Sequence, residues 1–190
     1  MMKKILLPLA LVLTTASGVA LADQTGPYVG ASLGNATTDL KADHWEHNYD
    51  ENVVAYGLYG GYNFTENLGL EATLGQTGEQ DNIKKGYATL TPRVMMPIND
   101  QLSLFAKAGV AYVAVDGDYD GIGNMNRHDI DVDGFGWTAG AGVNFAVAEH
   151  IDLRAGIDYL STDLEKADND KDLNIDSETT MYYVGVNYNF

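Results

Sequence analysis

From residue 28 onward, side chains alternate in kind at every second position, and one of the two alternating sets carries no charge. A period of two is that of a β-strand, whose successive side chains point to opposite faces. The last segment shows it most simply. One parity reads Tyr182, Val184, Val186, Tyr188, Phe190, and the other Met181, Tyr183, Gly185, Asn187, Asn189. Eight such runs are found, at residues 28–35, 53–64, 68–76, 86–96, 102–115, 134–146, 151–160 and 178–190. The second parity holds Gly, Ser, Thr and Asn together with Glu71, Arg93, Lys107, Arg154 and Asp158. With roughly a quarter of residues charged in soluble proteins, a wet face as large as the first parity would carry about ten charges. A soluble eight-stranded barrel has its apolar residues inside and its charges outside. The uncharged set is therefore expected to face hydrocarbon. Open sheet edges in hydrocarbon leave N–H and C=O groups unpaired, so the sheet must close on itself.

The connections support closure as a meander. Three are short and turn-like, at residues 65–67, 97–100 and 148–150; four are long and polar, at residues 37–52, 77–85, 116–133 and 161–177. Short and long alternate along the chain, which puts all the turns at one end and all the loops at the other. The predicted fold is all-β, an eight-stranded antiparallel up-and-down transmembrane barrel with short periplasmic turns and long extracellular loops. The strand lengths suit the roughly 9–11 residues that a tilted strand needs to cross a membrane. Aromatic residues sort to two rims. Tyr62, Phe64, Phe145, Tyr188 and Phe190 fall near the turn end, and Tyr56, Tyr112, Phe135, Trp137, Tyr159 and Tyr182 near the loop end. Two aromatic girdles are a mark of such barrels.

Residues 1–22 read as a cleaved Sec signal peptide: Lys3 and Lys4, an apolar stretch over residues 5–13, then Ala20-Leu21-Ala22. The barrel is assigned to residues 23–190. The apolar stretch is too short to span a bilayer as a helix. A net charge of −16 excludes binding to nucleic acid by bulk charge. The absence of Cys excludes disulfides, thiolate metal sites and Cys nucleophiles.

With its strands placed, the sequence resembles the eight-stranded transmembrane domain of outer membrane protein A and its relatives in the opacity-type barrel superfamily. The resemblance lies in the order and spacing of degenerate motifs across the barrel region. These are the first strand Tyr28-Val-Gly-Ala-Ser-Leu-Gly34, the hairpin running from Gly57 to Glu71, the turn Pro97-Ile-Asn-Asp100, and the ending Tyr188-Asn-Phe190. The resemblance implies a Gram-negative cell-envelope protein of the outer membrane, exported through the periplasm, with porin-like relatives. Tyr188 and Phe190 would form the C-terminal signal read by the barrel insertion machinery. In the resembled family two acidic–basic pairs plug the lumen and act as a candidate gate; here Asn144 takes the place of the second acid. Larger members continue into a domain that grips peptidoglycan, a role that is not carried over.

Arg93, Lys107 and Arg154 are the only basic residues of the barrel region outside the long loops, and all fall on the inward parity beside Glu71. The interior of an eight-stranded barrel is just wide enough for its own side chains, so these charges must pair. The expected network has Glu71 bridging Arg93 and Arg154, with Asp158 or Asp152 as further partners, Lys107 nearby, and Asn144 as the neutral member. The loops hold most of the 27 acidic residues. Within them, Asp116-Gly-Asp-Tyr-Asp-Gly121 opens like a calcium loop, but its twelfth position is Arg127, where an EF-hand needs Glu. No cofactor is expected; the frame leaves Ca²⁺ or Mg²⁺ at Asp116, Asp118 and Asp120 as the lesser alternative, with diffuse bridging to lipopolysaccharide preferred. His44, His47 and His128 lie in loops and His150 in a turn, and none shares an inward strand face with a Ser, so no catalytic residue is assigned.

The function expected is that of a monomeric outer-membrane barrel with a plugged polar interior and acidic extracellular loops. Its role would be structural or surface-interactive: envelope integrity, adhesion or resistance. The alternatives are a small low-conductance porin and, behind it, a lipid-modifying enzyme. The partners expected are outer-membrane lipids and lipopolysaccharide, the insertion machinery and an extracellular ligand of the loops, with no nucleic acid.

Overall fold

The short connectors fold back through side chains that serve as local acceptors. Thr65 Oγ1 accepts from the backbone N–H of Asn67 (3.2 Å) and Leu68 (3.0 Å). Asn99 Oδ1 accepts from Gln101 and Leu102, both at 2.9 Å. Each replaces a backbone carbonyl with a side-chain oxygen, which is why Asn and Thr punctuate this kind of turn. The computed structural model describes residues 25–41, 52–80, 83–118, 129–165 and 175–190.

Eight strands follow in order: β1 Gly26–Lys41, β2 Asn52–Asn63, β3 Leu68–Gln80, β4 Ile83–Pro97, β5 Leu102–Asp118, β6 Asp129–Ala148, β7 Ile151–Glu165 and β8 Ile175–Asn189. Each pairs antiparallel with the next, and β1 pairs with β8 to close the barrel. The closing seam runs from Tyr28↔Asn189 to Lys41↔Asp176. No described helix is long and apolar enough to cross a membrane, which says nothing of a barrel that crosses with strands.

The two parities separate as expected. Leu58 and Leu74 are each 68% exposed and Phe135 73%, while Glu71 and Thr91 on the other face are fully buried. A barrel whose large apolar side chains lie outside and whose ionised groups lie inside is inverted relative to a protein in water. Aromatic contacts mark both ends of this outer face: Tyr62–Phe64 and Tyr188–Phe190 toward the turns, Tyr112–Phe135 and Trp137–Tyr159 toward the loops.

The strands outrun the sequence-based boundaries at the loop end. The connection expected at residues 77–85 is reduced to residues 81–82, because β3 and β4 continue past the apolar band with a register shift between Thr77 and Gln80. Polar residues there end the alternation but not the hydrogen-bond ladder, so the loop limits read from composition fall too early. β5 and β6 extend likewise, to Asp118 and back from Asp129.

Aromatic rings fill the interior by lying over glycines of the neighbouring strand. Tyr59 on β2 covers Gly30 on β1, and Tyr87 on β4 covers Gly75 on β3; a Cβ at either glycine would overlap the ring. The Gly-rich inward parity is thus the space that the inward tyrosines occupy.

Candidate functional site

The lumen is the candidate site, and its strands arrange it in layers. Toward the turn end lies an ionic cluster. Glu71 projects inward from β3 and is wholly buried. Its Oε2 accepts from Tyr28 Oη (2.7 Å), Arg93 Nη1 (3.2 Å) and Arg154 Nη1 (2.6 Å), and its Oε1 from Lys107 Nζ (3.0 Å). Lys107 Nζ also pairs with Asp158 Oδ2 at 3.0 Å. Arg93 Nη1 donates to Tyr28 Oη at 2.7 Å, and Arg154 Nε to Asn144 Oδ1 at 3.0 Å. Three cations thus share two carboxylates, Glu71 and Asp158, and the cluster carries a basic excess.

Rings take up part of that excess. The Arg154 guanidinium lies 4.4 Å from the Tyr59 centroid and 4.9 Å from that of Phe105, and Arg93 stands 5.1 Å from both Tyr28 and Phe105. The π faces of these rings attract the guanidiniums without adding a charge, and the attraction is strongest where water is excluded. The planar guanidiniums thus stack against rings while bonding to one carboxylate.

Every member of the expected network is placed on the lumen side: Glu71, Arg93, Lys107, Arg154, Asp158 and Asn144. Of the two further acids considered, Asp158 joins it. Asp152 does not: it lies nearer the turns and accepts from Asn189 Nδ2 at 2.9 Å. Parity puts both acids on the inward face, and only their height along β7 decides which of them meets Lys107. Tyr28, Tyr59, Phe105 and Tyr183 complete the site, and the sequence signal for them is an aromatic residue on the inward parity.

Above the cluster, toward the loops, lies an apolar layer. Ala36, Ala55, Ala111, Val113, Leu160 and Met181 pack together with Tyr87 against them. On each strand these residues stand nearer the loop end than the charged or ring-bearing residues of the cluster: Val113 beyond Lys107, Leu160 beyond Asp158, Ala55 beyond Tyr59, Met181 beyond Tyr183. Beyond them again is a collar of hydroxyls. Lys85 Nζ reaches from β4 to Ser177 Oγ (3.1 Å) and Thr179 Oγ1 (2.7 Å), and Thr179 is bonded to Thr38 at 3.1 Å.

Asp116 and Asp118 lie at the end of β5, opposite Asp131 and Asp129 of β6 in register, and Asp120 lies outside the described residues. His44, His47 and His128 are also outside them. Among the described residues no group of three His, Asp or Glu is placed to hold a metal ion. His150 is exposed in the β6–β7 turn, its ring 5.8 Å from that of Tyr188.

The fold is similar to that of Neisserial surface protein A, with 16% sequence identity and a TM-score of 0.62 over 87% of this chain and 98% of that one. It is also similar to OprG from Pseudomonas aeruginosa (16%, 0.56, 91% and 99%) and to Ail, the attachment invasion locus protein of Yersinia pestis (19%, 0.50, 86% and 99%). At such identities the likeness is one of fold. No curated protein matches the sequence. The model of the outer membrane protein beta-barrel domain matches residues 7–190. A closed barrel with lipid-compatible side chains outside and ionised ones inside, spanned by that match, makes this chain a member of the outer membrane protein beta-barrel family, resident in the bacterial outer membrane.

Proposed function

We propose that the barrel is a plugged, non-enzymatic, monomeric membrane anchor that displays an acidic surface at its loop end and serves envelope integrity, adhesion or resistance. One observation carries the plug: Glu71, wholly buried, binds three cations and a tyrosine from four other strands across the full width of the lumen. Planar-bilayer conductance of the refolded protein tests it. Wild type is expected to stay closed, and Glu71→Ala combined with Val113→Ser, which releases Arg93, Lys107 and Arg154 from one another and breaks the apolar layer above them, to admit ions. An open, ion-selective wild-type channel would make the protein a small porin instead.

The acidic loop end supports a partner that is basic or bridged by divalent cations. Ail has been solved with the heparin analogue sucrose octasulfate, a polyanion. An acidic rim repels such a ligand, so that specificity is not carried over. Asp116 and Asp118 stand in register opposite Asp131 and Asp129, an acidic stretch of ladder that calls for counter-ions. Mg²⁺ or Ca²⁺ held diffusely between these acids and lipopolysaccharide phosphates would supply them. Calorimetry with Ca²⁺ in lipid-free detergent is expected to show no saturable site; a saturable one would restore the specific calcium loop.

Residues 1–22 serve as the export signal in this reading, and they lie outside the described residues. Tyr188 and Phe190, both on the lipid face with ring centroids 5.0 Å apart, serve as the signal for the insertion machinery. Phe190→Ala is expected to reduce the folded protein recovered from outer membranes while leaving refolding into detergent unchanged.

A further inference from the structure

Between the ionic cluster and the apolar layer lies a cavity of about 20 Å³. Ala55 and Met181 of the apolar layer bound it on one side, and Lys107 and Arg154 of the cluster on the other. Four buried polar atoms that have no hydrogen-bond partner in the protein belong to residues lining this same cavity: Thr73 Oγ1, Asp158 Oδ1, Arg154 Nη2 and Tyr183 Oη. Thr73 is 7% exposed and Arg154 only 2%.

The chemistry of the four atoms selects the guest. Arg154 Nη2 only donates, Asp158 Oδ1 only accepts, and the two hydroxyls do either. A lone cation would meet Lys107 and Arg154, and a lone anion would meet Asp158. The guest must be neutral and must both donate and accept. The volume holds about one or two molecules of water size and nothing larger. An unsatisfied buried polar group is strongly unfavourable, whereas a bridging water satisfies several groups at once.

We propose that this chamber is a water-binding site, its water held by Asp158, Tyr183, Thr73 and Arg154 and sealed from the loop end by the Leu160–Met181 layer. The lumen then has two stacked seals, an ionic one and a dry one, with bound water between. An apolar constriction resists wetting without any charged gate. This goes beyond the plugged reading and does not rest on it; conductance of the same preparation reports on the plug separately.

The test is solid-state NMR of the labelled protein in lipid bilayers, with magnetisation passed from water protons. Transfer is expected at Thr73 and Tyr183, and none at Val113 and Ala111 in the apolar layer. No transfer at Thr73 and Tyr183 would overturn the site. Tyr183→Phe is expected to weaken the transfer at Thr73 and lower the urea midpoint, because it removes a partner of the bound water. A raised midpoint with an unchanged Thr73 signal would show that the hydroxyl was dry and would also overturn the site. Met181→Ser is expected to speed exchange of the bound water with bulk; an unchanged exchange rate would overturn the seal.

Discussion

Each oxygen of the Glu71 carboxylate is taken, Oε2 by Tyr28, Arg93 and Arg154 and Oε1 by Lys107. Removing this charge leaves three cations facing one another around Asp158 alone. Breaking a buried pair by deleting one partner typically costs about 3–5 kcal/mol. Glu71→Gln is expected to lose stability of that order, read as a lower urea midpoint for unfolding from lipid vesicles. Asp152→Asn keeps an acceptor for Asn189 and touches none of the cluster, so its expected change is below about 1 kcal/mol in the same assay. The charged members of the site were legible because charges on the inward parity are few and must pair. The rings were not. Tyr28, Tyr59 and Phe105 read as ordinary strand aromatics until the register sets Gly61, Gly30 and Gly142 beside them. Which glycine faces which ring is a property of two strands, and no single segment contains it.

Strand β4 breaks a rule for interior strands. Pro92 stands in a closed sheet, between neighbours on both sides. Its ladder with β3 is continuous, but the β4–β5 ladder skips from Leu90↔Val110 to Arg93↔Lys107 without a change of register. Proline has no N–H, so the carbonyl of Ala108, opposite Pro92, loses its donor there. Pro92→Val restores the donor and is expected to stabilise the barrel by about 1 kcal/mol, measured by equilibrium unfolding in vesicles, with slower amide exchange at Ala108. Among the elements, existence and face were legible for all eight strands, since each run repeats the same two-residue period. Their loop-side ends were not. The pattern that reveals a strand is the contrast between lipid and lumen, and above the membrane both faces meet water while the backbone pairing persists.

At the scale of the whole molecule the solvent is the deciding fact. Leu58, between the aromatic rims, is 68% exposed on a face without charges. An Arg near the bilayer midplane of a barrel costs about 2–4 kcal/mol, so Leu58→Arg is expected to reduce folding into vesicles by that amount. The refolded barrel should migrate on unheated gels differently from the boiled chain. A polypeptide that folded and stayed monodisperse in detergent-free buffer would contradict the assignment of this face to lipid.

The β1–β8 seam joins residues at opposite extremes of the chain, with Tyr28 beside Asn189. Contacts between such remote residues form late, because the loop that they close spans nearly the whole domain. A wall of seven staves would present two raw margins to oil, each a row of unsatisfied peptide groups. No partial cylinder can therefore wait within the bilayer. Closure must go hand in hand with insertion, all eight staves together, and shortening β8 should abolish the vessel rather than narrow it.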